Sequence, residues 1–184
     1  AFDGQGPTFR LSGREGGDEP LDCQVSQNIV LSDYSHSIWY IAKKGINAKG
    51  DGLAEMNWPP QPHRCLLGRL RAGHFFMSKA TVKKGSVASP PRLSVEKPKS
   101  LVVIALRSGQ RVVFRLKDLV GFSDGVLLAS KYSAHTATNF LRLKRFYTTA
   151  QGPGHLVLLA VGEVAVLDEA AKASSSDLLA WDVR

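Results

Sequence analysis

Long apolar runs are missing from this chain. No stretch of its 184 residues approaches the roughly 18 uninterrupted apolar positions that a membrane-spanning helix needs, and runs such as Leu156–Val161 are strand-length. The expectation is a soluble chain with no transmembrane segment, for which peripheral contact with a membrane surface stays open. Cysteine is scarce. Cys23 and Cys65 lie 42 positions apart and neither belongs to a Cys-x-x-Cys pair. Two lone cysteines in a chain this long read as buried thiols more readily than as the framework of a secreted disulfide scaffold. The first ten residues carry nothing resembling a signal or transit peptide, so the residues themselves report no compartment.

Helical periodicity is scarce too. The best window, Asp168–Ser174, opens on Asp and Glu and contains three alanines, enough for one or two turns. That excludes a doubly wound α/β fold. The motifs of common active sites are also missing. The five histidines, His36, His63, His74, His135 and His155, show no His-x-x-x-His or His-Glu-x-x-His spacing. There is no phosphate-binding loop ending in Gly-Lys-Ser/Thr. Gly152-Pro153-Gly154 leads into a strand, so it reads as backbone freedom for a hairpin and not as a dinucleotide fingerprint. The expectation is a protein with no catalytic residues, no metal site and no cofactor.

What is present is a succession of short β-type runs rich in Val, Ile, Leu and aromatic residues. They are Thr8–Ser12, Leu21–Val25, Ile29–Leu31, Ser37–Ala42, Cys65–Arg71, Phe75–Val82, Leu101–Arg107, Arg111–Leu116, Val126–Ala129, Leu141–Tyr147, Leu156–Val161 and Val164–Leu167. Turn signals separate them at Ala72-Gly73, Ser108-Gly109, Asp124-Gly125, Gly152-Pro153-Gly154 and Val161-Gly162. Period-two alternation is cleanest over Arg111–Lys117. It sets Val112, Phe114 and Leu116 on one face and Arg111, Val113, Arg115 and Lys117 on the other. Lys83–Ser100, with Pro90, Pro91 and Pro98, reads as a long loop, because proline cannot donate to a central ladder. Trp58-Pro59-Pro60-Gln61-Pro62 reads as a second rigid connection. The predicted organisation is a single sandwich domain of two lobes, residues 1–82 and 100–184, joined through 83–99.

The second lobe carries an internal repeat. Leu101–Leu106, a glycine turn, a strand and then Asp118-Leu119-Val120-Gly121-Phe122-Ser123-Asp124 match Leu156–Val161, Gly162, a strand and then Asp177-Leu178-Leu179-Ala180-Trp181-Asp182, starting 55 residues later. Duplicated hairpin units of this kind bury their apolar faces by closing on one another. The fold class is therefore all-β: an antiparallel β-sandwich or barrel built from pseudo-repeats, with little helix.

The net charge of +8 is unevenly spread. Residues 1–55 carry five basic and eight acidic side chains, residues 56–162 seventeen basic and three acidic, and residues 163–184 two basic and five acidic. A cationic middle attracts phosphate, acidic protein or anionic lipid. Alternation pairs Arg69 with Arg71, Lys79 with Lys83, Arg111 with Arg115 and Lys117, and Arg142 with Lys144, with Arg145 nearby. If those strands pair, the ten cations form a sheet-surface patch for RNA or an acidic partner, with Phe76 or Tyr147 available to stack bases. The same charges also serve to keep sheet edges and faces from aggregating.

Three stretches resemble a known family. Gln151-Gly152-Pro153-Gly154-His155-Leu156-Val157-Leu158 is similar to its Gly-Pro-Gly-then-strand signature. Asp118–Val126 is similar to its Leu-Val-small-aromatic element, and Asp177–Asp182 to its terminal Leu-apolar-Ala-Trp-Asp. The family is that of the altered inheritance of mitochondria protein 24, whose fold is related to the β-sandwich of the tryptophan RNA-binding attenuation protein. The resemblance covers roughly residues 100–184. It implies stacked antiparallel sheets, oligomers and a mitochondrial location, and it brings no catalytic residues with it. The Pro-rich segment and the basic middle depart from the family pattern. The expected function is a non-enzymatic mitochondrial scaffold or assembly subunit acting through protein partners. The alternative is an RNA-binding subunit of a mitochondrial ribonucleoprotein.

Overall fold

Apolar side chains that alternate with a period of two belong in strands, and here some strands are apolar on both faces. A computed structural model describes residues 9–12, 22–42, 46–56, 59–61, 72, 74, 76–82, 89–132, 146–167 and 178–182. The strands are β1 (Phe9–Ser12), β2 (Asp22–Ser26), β3 (Asn28–Val30), β4 (Ile38–Ala42), β5 (Asn47–Lys49), β6 (Leu53–Glu55), β7 (Met77–Thr81), β8 (Arg92–Ser94), β9 (Lys99–Leu106), β10 (Arg111–Phe114), β11 (Leu119–Ser123), β12 (Leu127–Tyr132), β13 (Phe146–Gln151), β14 (Gly154–Val161), β15 (Val164–Leu167) and β16 (Leu178–Asp182). The described residues include two 3-10 turns, Leu31–Asp33 and Leu116–Asp118. The all-β expectation holds.

The strands form three sheets. An outer sheet runs β12-β13-β10-β16-β1-β15, a middle sheet β2-β9-β14-β11-β4-β7-β6, and a cap sheet β3-β8-β5. Pairing is antiparallel except where β1 lies parallel to β15 and β16. The spine of the middle sheet is the eight-residue register from Gly154↔Leu106 to Val161↔Lys99.

Both faces of the middle sheet are buried. On β9, Val102, Ile104 and Leu106 join the core shared with the outer sheet, while Leu101 and Val103 join the core shared with the cap sheet. On β14, Leu156, Leu158 and Ala160 face the first core and Val157 the second. On β4, Trp39 and Ile41 join the second core, while Ala42, with Tyr40 packed against it, joins the first. A strand buried on both faces reads as a continuous apolar run, which is how Leu101–Leu106 and Leu156–Val161 look in the sequence. The architecture is thus a three-layer sandwich.

Several expectations need correcting. The segment 83–99 contains β8, the central strand of the cap sheet. Proline lacks a donor, yet the Pro91 carbonyl still accepts from Leu31 N–H at 2.9 Å, and Leu93 is only 1% exposed in the second core. Nor does this segment separate two packing units: β2, β4, β6 and β7 from before it share the middle sheet with β9, β11 and β14 from after it. The repeated units are not hairpins. β10 and β15 leave the middle sheet for the outer one, so neither pairs with the strand before it, and the closing elements β11 and β16 end in different sheets.

Crossing between layers sets the demands on the Gly-Pro-Gly turn. A Cβ on Gly152 would lie 2.3 Å from the Arg107 carbonyl oxygen, and Gly154 combines φ of +148° with a Cβ position 2.5 Å from Ser123 Oγ. β5 and β6, short and polar, carry no alternation to read. The strand runs expected at Cys65–Arg71 and at 141–145, and the helical window Asp168–Ser174, lie outside the described residues.

The third layer predicts an effect that a two-layer sandwich would not show. Val157 is fully buried toward the cap sheet. Val157→Thr keeps the shape but buries a hydroxyl, and should cost about 1–3 kcal/mol in chemical denaturation. An unchanged midpoint would mean that this face is wet.

Candidate functional site

The described cations do not line one strand face. Lys79 sits on β7 in the middle sheet, in register with Tyr40 and Ala54. By alternation it shares the face of Met77, which is buried in the first core, and Lys79 itself is half-buried. Arg111 is exposed on β10 of the outer sheet, where its Nε donates to Gln151 Oε1 at 3.1 Å. β7 and β10 share no neighbouring strand.

Strand β10 ends at Phe114, so Arg115 and Lys117 do not continue the face that Arg111 starts. Lys117 is exposed in the 3-10 turn. Arg115 turns inward: its Nε lies 2.7 Å from Asp118 Oδ2, with the two side chains 20% and 18% exposed. Burial pushes the Asp118 carboxyl above its ordinary range, against the pull of Arg115 and Lys117. This pair is a structural bridge. Arg69, Arg71, Lys83, Arg142, Lys144 and Arg145 lie outside the described residues. Of the two aromatics, Phe76 is 63% exposed, and the side chain of Tyr147 is outside the described set.

The densest cluster of polar rings lies elsewhere, at one end of the middle sheet. His155 on β14 stands 4.9 Å from Tyr34, 5.1 Å from His36 and 6.0 Å from Trp39, measured between ring centroids. Tyr34 and His36 also approach Trp39 edge-on, at 5.5 and 6.2 Å. The rings converge because Tyr34 and His36 flank the turn into β4, Trp39 points from β4 to the second core, and His155 shares a face with Val157. His36 Nδ1 lies 3.5 Å from Asp124 Oδ1. The His155 backbone N–H donates to Ser123 Oγ at 2.9 Å.

Burial lowers the His155 pKa, the neighbouring His36 lowers it further, and Asp22 opposes both. Trp39 Nε1 and His155 Nδ1 are buried with no hydrogen-bond partner. Spacing gave no hint of this cluster, since 119 positions separate its two histidines. Among the described residues no group of three or more His, Cys, Asp or Glu is arranged to hold a metal ion. Nor is any described helix long and apolar enough to cross a membrane.

The sheet edges differ in how they are guarded. At β12, Gln61 mimics a strand: its Nε2 donates to the Val126 carbonyl at 2.7 Å and its Oε1 accepts from Leu128 N–H at 3.0 Å. β3, β5 and β6 are three residues each. A groove of about 400 Å³ separates β5 from β6, with Lys49 and Glu55 among its walls. β2 is different. It pairs regularly with β9 over five residues and contains no proline, lysine or bulge. It also leaves Val25 49% exposed. Such an edge is a template for another strand. Cys23, half-buried on β2, has its thiol pKa raised by burial and by Asp22, which makes it a poor nucleophile.

Comparison with protein-family models, with curated proteins and with solved structures finds no match for this chain.

Removing the guanidinium at position 115 strands a desolvated carboxylate. Arg115→Gln should therefore lose about 1–3 kcal/mol at neutral pH. The raised Asp118 pKa fixes the sign of the pH effect: the folded state binds this proton more tightly than the unfolded one, so the loss should shrink as acid protonates the carboxyl. Denaturation series at neutral and at acidic pH check this, and a pH-independent loss would contradict it.

Proposed function

We propose that this chain is a non-catalytic β-scaffold that associates with protein partners by strand addition at β2, the open edge of the middle sheet. The observation that carries the reading is the contrast among edges. Among the described residues no strand covers the free edge of β2, which is regular, five residues long and carries a half-exposed valine, with Asp22 as its one charge, whereas Gln61 bonds the start of β12, the cap edges are three residues long and β15 is four. Main-chain hydrogen bonds supply the affinity in this mode, and alternate side chains such as Val25 and Cys23 supply the selectivity.

The family resemblance adds a mitochondrial location and oligomeric assembly to the proposal, together with kinship to the attenuation-protein sandwiches. Its pseudo-repeat component is supported by β9 and β14, which open the two similar stretches and pair with each other.

RNA binding is the second reading. It is supported by the exposed Arg111 and Lys117 and by the net positive charge of the middle of the chain. Arg115→Glu is unsuitable as its probe, because that change breaks a half-buried bridge. Arg111→Glu is the clean one.

Affinity purification from the native compartment, with and without nuclease, separates the two readings. Val25→Lys should release the protein partners by placing a charge on the edge, while Arg111→Glu and nuclease should leave them bound. Loss of partners on nuclease treatment or Arg111→Glu, with steep salt dependence and no effect of Val25→Lys, would establish RNA binding instead.

A further inference from the structure

We propose that His155 is the trigger of an acid-operated latch: neutral, its ring contacts with Tyr34 and His36 hold the segment Leu31–Ser37 against the end of the middle sheet, and protonated, it lets the middle of that segment go.

The segment joins the cap sheet to the middle sheet and is pinned at both ends. Leu31 is fully buried, with its N–H on the Pro91 carbonyl, and the Ser37 carbonyl accepts from Val82 N–H at 2.7 Å. Between these anchors, Ser32, Asp33 and Ser35 are exposed. What holds this stretch down is side-chain contact: Tyr34 and His36 against Trp39 and His155, and Tyr34 O–H donating to Gln24 Oε1 at 3.4 Å.

That arrangement suits neutral imidazoles. His155 Nδ1 is buried without a partner. An unprotonated nitrogen tolerates this better than an N–H of an imidazolium, which would have no acceptor there. A second positive charge on His36, with the rings 5.1 Å apart, adds repulsion. The ionisable groups around the pair come from three places. Asp33 and Tyr34 lie on the segment itself, Asp124 follows β11, and Asp22 on β2 stands in register with Ala105 and, through it, His155. β4 contributes Trp39 and β9 contributes Ala105, neither of which titrates. The Asp124 carboxylate lies 3.5 Å from His36 Nδ1 alongside the ring packing, so the group that acid leaves without a partner is His155.

The sign of the pH effect follows from the lowered His155 pKa. The unfolded or released chain takes up a proton near the ordinary histidine value, about 6.5. The latch is therefore fully effective above that value and weakens as pH falls below it toward the folded-state value. Since Tyr34 contacts Gln24 of β2, release also exposes one face of the proposed association edge; that consequence alone rests on the functional reading above.

Hydrogen exchange on the full chain tests the latch, comparing about pH 7.5 with about pH 5.5 after correction for the intrinsic exchange rate. Peptides covering Ser32–His36 should lose protection by up to about tenfold per pH unit, the limit for one proton, while β9 and β14 stay protected. In His155→Gln the acid response should disappear. Where that variant does not fold, His155→Asn provides the same comparison. Protection of Ser32–His36 that ignores pH, loss that spreads equally through β9 and β14, or an acid response that survives in a folded variant would each overturn the latch.

Discussion

The burial of both faces of the middle sheet is the constraint on which this structure depends. Removing about 100 Å² of apolar surface from water is worth roughly 2.5 kcal/mol, so a sheet that is apolar on both sides cannot leave one side wet. Leu101 and Val103 look one way from β9 and Val102, Ile104 and Leu106 the other. A second covering layer follows. The cap sheet is small, three strands of three residues, and it suffices because Trp39, Leu31 and Leu93 fill the space beneath it.

That constraint also shapes the chain's path. β9 and β14 pair along their whole length on the β2 side of the middle sheet, each hands the chain to the outer sheet through a short turn, and their successors β10 and β15 lie in another layer. The close approaches at Gly152 and Gly154 belong to the opposite crossing, the turn by which the chain enters β14 from β13 of the outer sheet. The same layering leaves the segment Leu31–Ser37 as the strap between cap and middle sheets, and it gathers Tyr34, His36, Trp39 and His155 at one end of the interface.

Electrostatics follows packing here. Among the described residues, the candidate cations do not share one strand face: Lys79 shares a core-directed face, Arg115 is tied to Asp118, and Arg111 and Lys117 reach solvent from the outer sheet and from a turn. Strand parity cannot distinguish these fates. It assigns a residue to a face, and whether that face meets water depends on the layer above it.

By itself, the sequence determined the all-β class and most strand positions, since period-two runs such as Arg111–Phe114 and continuous runs such as Leu156–Val161 have few other uses. It also placed the turn at Gly152-Pro153-Gly154. Only the tertiary structure decided the number of layers, the strand within the proline-rich segment, the parallel pairing of β1, and the meeting of His36 with His155. The physical reason is range: alternation and turn chemistry act between near neighbours, whereas layer order and the convergence of two histidines 119 residues apart are set by which apolar faces bury each other.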